Sequence, residues 1–158
     1  MSKNARKLLK VSLDEETVAV RSPEIEHERQ VAIFDLLQDN DFALTNGDNG
    51  PYHLSLGIIE RRLCFGIRDP KDNKLAEIML PLAPFRSVIR DYFTVCDAYY
   101  EAIKTASRAR IEAIDMGRRS LHDEGAEILR ERLARDIAID DNTSRRLFTL
   151  ICVLHARG

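Results

Sequence analysis

The segment near the C-terminus constrains the fold of this chain more than any other. Residues 147–154 read Leu-Phe-Thr-Leu-Ile-Cys-Val-Leu, and Thr149 is their only polar side chain. At helical spacing these apolar side chains point in every direction, and a helix of this kind is normally buried on all sides. On a protein surface it would expose a large apolar patch. We therefore expect the rest of the chain to fold around its own C-terminal helix.

The length of the chain, 158 residues, predicts one domain covering residues 1–158, with residues 1–6 as a frayed tail. No stretch approaches the length and apolarity of a membrane span, so a membrane is not an expected partner. The three cysteines, Cys64, Cys96 and Cys152, are an odd number without Cys-x-x-Cys spacing. We interpret them as small buried hydrophobic residues in a reducing cytoplasm.

Alternation of apolar and polar residues with a period of two predicts strands in the middle of the chain. Residues 52–58, 63–67 and 76–80 alternate in this way and are separated by short turn sequences. Consecutive strands with short connections are typical of an antiparallel meander. Residues 8–13 are expected to extend this sheet as a fourth strand, and residues 137–139 to form a further short strand.

Apolar residues at helical spacing predict helices on both sides of these strands. Ser22 and Pro23 form a typical helix start, as a cap followed by a proline in the first turn. In this helix Val31 and Phe34 widen the apolar stripe, so it should bury one broad face. Asn40 and the polar loop that follows should end it.

The longest helix is predicted from Pro84 to about Ala106, and its many aromatic residues indicate a central position. A helical stretch capped by Ser107 should follow, with Gly117 inside it, and a further helix capped by Ser120 or Asp123 should come after a break. The chain thus predicts an α+β fold: a three- or four-stranded antiparallel meander packed by four to five helices, with a long central helix and a buried C-terminal helix.

Four segments resemble an uncharacterised family of small alphaproteobacterial proteins. They are residues 22–29 (Ser-Pro-Glu-Ile-Glu-His-Glu-Arg), 51–54 (Pro-Tyr-His-Leu), 111–119 (Ile-Glu-Ala-Ile-Asp-Met-Gly-Arg-Arg) and 146–155 (Arg-Leu-Phe-Thr-Leu-Ile-Cys-Val-Leu-His). The resemblance extends over nearly the whole chain. It implies a bacterial, single-domain protein and assigns no catalytic residue.

One short segment concentrates residues that could bind a ligand or a partner. Its candidate site residues are Asp115, Arg118, Arg119, His122 and Glu124. Paired arginines bind carboxylates or phosphates, and a histidine can move protons near neutral pH. A purely structural interpretation stays open. In that case Asp115 and Arg118 form an ion pair within one helix, while Gly117 and Gly125 let helices cross closely.

Other motifs predict neither a metal site nor a cofactor. Glu24 and His27 have the spacing used in di-iron bundles, but those proteins use it twice, and an acidic helix start explains the pair better. Phosphate-binding glycine loops, zinc spacings and the Gly-x-Ser-x-Gly elbow are absent from the sequence. Cys96 and Cys152 lie in apolar runs and do not resemble activated thiols.

For function, the formal net charge of −2 argues against nucleic acid as a partner. We expect a non-enzymatic cytoplasmic protein with a regulatory or protein-interaction role, whose partner is another protein or a second copy of itself. A homodimer built partly on the long helix is the favoured assembly. The alternative is a small enzyme or an anion-binding protein that uses the segment from Asp115 to Glu124, and the residues leave open whether the protein is an enzyme.

Overall fold

Residues 3–14 and 23–155 are described by a computed structural model of the chain, and its elements are numbered in chain order. The helices are α1 (Pro23–Gln38), α2 (Ala83–Thr105), α3 (Arg108–Leu133) and α4 (Asp141–His155). The strands are β1 (Leu8–Leu13), β2 (Phe42–Leu44), β3 (Tyr52–Ile59), β4 (Arg62–Arg68), β5 (Lys74–Pro81) and β6 (Ile137–Ile139). These elements confirm the α+β class.

The larger sheet has the strand order β1–β3–β4–β5 and is mixed. Strands β3, β4 and β5 form the predicted antiparallel meander. Strand β1 is part of the sheet, as predicted, but it runs parallel to β3, with Leu8 opposite Tyr52 and Leu13 opposite Leu56. The prediction of a purely antiparallel sheet is therefore wrong. Parallel neighbours need a long crossover connection, and α1 and β2 lie between these two strands in the chain.

A second, two-stranded antiparallel sheet pairs β2 with β6. The sequence predicts the strand at residues 137–139 but not β2. Strand β2 has only three residues and follows closely after a helix, so it is too short to show a recognisable alternation of apolar and polar residues. Phe42 of β2 is fully buried, and its ring packs edge-on against Tyr52 with the centroids 5.5 Å apart. Through this pairing, the segment after α1 is hydrogen-bonded to the segment between α3 and α4.

The segment ahead of β1 forms a 3-10 helix over Lys3–Arg6, within the range expected to fray. Arg6 forms an ion pair with Asp41 at 2.7 Å, and the Ala5 carbonyl accepts a hydrogen bond from the Gly50 N–H. The described part of this segment therefore packs on the loops that precede β2 and β3.

Helix α1 begins at Pro23, and the predicted cap Ser22 lies outside the described residues. The prediction of one broad buried face is wrong, because Ala32 and Leu36 are its only buried residues. Val31 and Phe34 are 42% and 63% exposed. The main packing partner of α1 is α4, and contact with one helix covers only a narrow stripe.

Helix α2 occupies almost the predicted range, but the predicted break before a further helix capped by Ser120 or Asp123 is wrong. Helix α3 is continuous over 26 residues and is longer than α2, which has 23. Gly117 lies within α3 with open space beside it. Ion pairs from Asp115 to Arg118 and Arg119 span this turn and offset the low helix propensity of glycine.

Helix α4 is buried as predicted. From residue 147 to residue 154 every side chain except Thr149 is buried, and α4 packs against α1, α3 and β3. A Cβ atom on Gly125 of α3 would collide with the ring of Phe148, so this glycine permits the close approach of α3 and α4. Cys96 and Cys152 are buried as expected, while Cys64 is half-buried. Within the described ranges, no helix has the length and apolarity to cross a membrane.

Candidate functional site

Asp115 joins the two arginines of the predicted site. Its Oδ1 lies 2.6 Å from Nη2 of Arg118, and its Oδ2 lies 2.8 Å from Nη2 of Arg119. The hydrogen bond from Arg118 is the main reason why the pKa of Asp115 is lowered. The Arg118 guanidinium also stacks on Tyr99, 4.9 Å from the ring centroid. One carboxylate thus orients both guanidinium groups, and each keeps N–H groups for a further acceptor.

His122 lies one turn further along α3, in largely apolar surroundings. Its Nε2 is 2.6 Å from the hydroxyl of Thr149 on α4, and its ring contacts Tyr92 and Phe148. Burial lowers the pKa of His122 to about 4, although the nearby Asp123 opposes this shift. The imidazole is therefore neutral at physiological pH, which does not suit the proton transfer near pH 7 considered from the sequence.

An open cleft of about 570 Å³ lies beside these residues, with walls from α1, α3 and α4. Arg118, Arg119 and His122 line it, Asp115 holds the two arginines in place, and Glu124 is exposed on α3 without lining it. The volume is in the range of small-molecule sites. The lining residues are His27, Glu28, Val31, Ala32, Asp35, Tyr92, Arg118, Arg119, His122, Asp123, Arg145, Arg146 and Thr149.

Two further arginines reach the cleft from α4, and sequence patterns alone do not identify them. Arg145 Nε lies 2.9 Å from Asp123 Oδ1, and Arg146 Nη1 donates to the Asp39 carbonyl at 3.3 Å. The one available signal is their position one turn before Thr149, the single polar residue of the apolar run. Their tertiary neighbours on α3 could not be predicted from that spacing.

Glu28 is half-buried in the α1 wall of the same cleft. Burial raises the pKa of its carboxyl group, against the opposing effect of the positive charges on Arg118 and His27. Within the described ranges, no residue donates a hydrogen bond to the Glu28 carboxylate or forms an ion pair with it. The cleft therefore holds both guanidinium donors and an acceptor that lacks a donor among these residues.

The second sequence motif does not form a common site. His27 lines the cleft, whereas Glu24 lines a neighbouring cavity, and both residues are exposed. Across the described part of the chain, no group of three or more His, Cys, Asp or Glu side chains is arranged to hold a metal ion.

Comparisons with known proteins match this chain to one family. The model of the uncharacterised protein family UPF0262 matches residues 5–157. A family protein of Rhodospirillum rubrum is 54% identical over 156 residues, which cover 99% of this chain and 96% of that protein. A protein of Hyphomonas neptunium is 55% identical over 152 residues, covering 96% of this chain and 94% of its own length. No solved structure matches. The resemblance found in the sequence is thus confirmed, and the chain belongs to the uncharacterised protein family UPF0262.

Proposed function

We propose that the protein is a non-enzymatic regulatory protein whose cleft between α1, α3 and α4 binds a small organic anion. The observation that carries this proposal is the convergence of four arginines from two helices: Arg118, Arg119, Arg145 and Arg146. Guanidinium groups match the planar geometry of carboxylates and the oxygens of phosphates. Val31, Ala32 and Tyr92 add apolar surface, which favours a ligand with a carbon skeleton.

The protonation of nearby groups favours binding over catalysis. The pKa of about 4 keeps His122 neutral, so it is a poor acid near pH 7. Burial raises the pKa of the Cys96 thiol to about 11, and the pKa of Cys152 is raised for the same reason. Neither thiol is therefore ionised under physiological conditions, and a thiolate is the form that acts as a nucleophile.

Titration calorimetry and NMR with butyrate and inorganic phosphate test this proposal at low salt. We expect saturable binding in the millimolar range or tighter, with amide shifts in α3 and α4. Arg119→Gln should weaken binding of either anion about tenfold, because it removes one charge-assisted hydrogen bond. Arg119 is 69% exposed, so this variant should fold normally.

The matched control is Arg90→Gln. Arg90 is an exposed arginine on α2 with an acidic neighbour, Asp91, and it does not line the cleft. This variant should bind both anions as the wild type does. Equal losses in the two variants would indicate a general charge effect, and the absence of saturable binding to the wild type would reject an anion site.

A second candidate function is self-association, which a strip of exposed apolar side chains on α1 favours. Val31, Phe34 and Leu37 are 42%, 63% and 37% exposed and follow one side of the helix at three-residue spacing. Helix α2, for which the sequence predicts the dimer contact, packs along α3 within the chain. We therefore locate the contact of the proposed homodimer on α1.

Light scattering tests this assembly at high micromolar concentration. The wild type should have twice the mass of one chain, and Phe34→Glu should have the mass of one chain. Met116→Glu is the control, because Met116 is equally exposed but lies on α3. A wild-type particle with the mass of a single chain would exclude the dimer.

We also propose a reducing cytoplasm as the location of the protein, which its three free cysteines support.

A further inference from the structure

We propose that the ligand of the cleft is a zwitterion, an amino carboxylate whose ammonium group pairs with Glu28 while its carboxylate binds the arginines of α3. This inference rests on the proposed anion-binding function and narrows the class of ligand. The charged side chains that line the cleft are unevenly distributed between its helices.

Charge is unevenly distributed around the cleft. Helix α1 contributes Glu28 and Asp35 beside His27, whereas α3 and α4 contribute four arginines and one carboxylate, that of Asp123, which pairs with Arg145. A ligand with negative charge at both ends would place one of them against the carboxylates of α1. A ligand that carries a cation at this end complements both walls, and such charge matching discriminates between ligands of similar size.

On α1, Glu28 is the carboxylate that a cationic group of the ligand would stabilise most. It is partly removed from water, and a desolvated carboxylate without a donor is unfavourable. Its raised pKa has burial as the main cause, which is the expected consequence of this desolvation. Arg118 acts on Glu28 electrostatically without forming an ion pair with it, and both residues line the cleft.

The surroundings on the far side of Glu28 strengthen this polarity. A smaller cavity of about 330 Å³ adjoins the cleft there and shares Glu28 as a lining residue. Among the described residues that line this cavity, the other acidic ones are Glu24, Asp97 and Glu101, and Lys104 is the only basic one. Carboxylates therefore cluster at the Glu28 end of the cleft and arginines at the other, an arrangement that favours a zwitterion with its ammonium group at α1.

Calorimetric titration of the full chain at pH 7 with a matched set of probes tests the ligand class. The probes are butyrate, butylamine, 2-aminobutyrate and 4-aminobutyrate, which share one carbon skeleton. At least one of the two zwitterions should bind about tenfold more tightly than butyrate, as one additional charge-assisted hydrogen bond predicts. Butylamine should bind more weakly than that zwitterion.

The variant Glu28→Gln should reverse this order of affinities. Loss of the carboxylate removes the partner of the ammonium group, so the zwitterion binds about tenfold more weakly, while butyrate binds as tightly or more tightly because a repulsive charge is gone. If Glu28 had only a structural role, its replacement would weaken the binding of both the zwitterion and butyrate. Glu24→Gln, the same change one turn earlier on α1 and outside the arginine cleft, should weaken binding of the zwitterion far less than Glu28→Gln does, because Glu24 acts on the ligand only from a longer distance.

The outcomes separate this inference from the proposed function. Binding of butyrate that depends on Arg119, with neither zwitterion tighter, overturns the zwitterion and leaves anion binding intact. If no probe and no phosphate binds, both proposals fail. Equal losses of zwitterion affinity in Glu28→Gln and Glu24→Gln also overturn the inference, because the effect would then come from overall charge.

Discussion

Asp115 forms ion pairs with two guanidinium groups at once, yet the two arginines should contribute differently to stability. The Arg118 side chain is 29% exposed and stacks on Tyr99, whereas Arg119 is 69% exposed. An exposed ion pair contributes little to stability, because water screens it and the side chain loses entropy. A half-buried, stacked guanidinium contributes packing as well as charge. The structural and the binding interpretations of this segment therefore apply to different residues.

Replacement of these arginines should separate the two roles. Arg118→Ala should lower the free energy of unfolding by about 1–2 kcal/mol, because it removes a stacked side chain and leaves Asp115 with fewer donors. Arg119→Ala should lower it by less than about 0.5 kcal/mol. Urea unfolding of both variants measures the difference. Equal losses would mean that the stacking on Tyr99 has no energetic weight.

The buried His122 predicts that stability depends on pH. Its pKa is about 4 in the folded chain against an ordinary value of 6.5, so the unfolded chain binds the proton first as the pH falls. Stability contributed by the neutral imidazole is present above pH 6.5 and is lost progressively down to about pH 4. Between pH 7 and pH 5 this loss should be about 2 kcal/mol.

Urea unfolding at the two pH values, with two variants, isolates this contribution. His122→Gln should lose less stability than the wild type over the same interval. His27→Gln, which removes an imidazole from an exposed position, is the matched control. A wild-type loss that His122→Gln reproduces in full would assign the pH dependence to other groups.

Among the elements, α3 shows how two glycines of one helix serve different purposes. Gly125 faces α4, and any side chain there would meet the ring of Phe148. Gly117 has no atom of this kind within 4 Å. One glycine therefore sets the distance between two helices, and the other only weakens the helix in which it lies.

Alanine at each position should act in opposite directions. Gly125→Ala should destabilise the protein by about 1–3 kcal/mol or more, because the added methyl group forces α3 and α4 apart. Gly117→Ala should stabilise it by up to about 1 kcal/mol, because alanine has the higher helix propensity. Thermal unfolding measures both effects. A Gly125→Ala protein as stable as the wild type would show that the helices can separate at no cost.

In the molecule as a whole, α4 is enclosed by α1, α3 and the sheet, although it lies near the end of the chain. Its buried side chains belong to a hydrophobic core that also includes residues of β1, β3, β4, β5 and α2. The core therefore includes the last helix that the structure describes. Chain ends usually tolerate removal, but this one should not.

Truncation after Arg146 tests the position of α4 in the core. The shortened chain should not fold, because burial of each large apolar side chain contributes roughly 1.5–3 kcal/mol to a total stability of only about 5–15 kcal/mol. Leu150→Ala, a milder change to the same helix, should cost about 2–5 kcal/mol and still fold. Circular dichroism and thermal unfolding check both. A truncated chain that unfolds cooperatively near the wild-type temperature would make α4 peripheral.

Local patterns in the sequence were sufficient for most of the elements. The period-two segments became β3, β4 and β5, the apolar run became the buried α4, and the stretch after Pro84 became α2. Each of these elements was predicted from the spacing of apolar residues within one segment. A strand or helix that buries one side needs this spacing, whichever part of the chain packs against it. The arginine pair at residues 118 and 119 was recognisable for the same reason, as a local concentration of charge.

The remaining features depend on which segments meet in space. The parallel direction of β1 follows from the route of the chain through α1, and the exposure of Phe34 follows from the single helix that covers α1. Glu28 and Arg146 are more than one hundred residues apart and share a cleft only because α1 packs on α4. Spacing within a segment carries no information about such distant neighbours, so the position of the candidate site is a property of the tertiary packing.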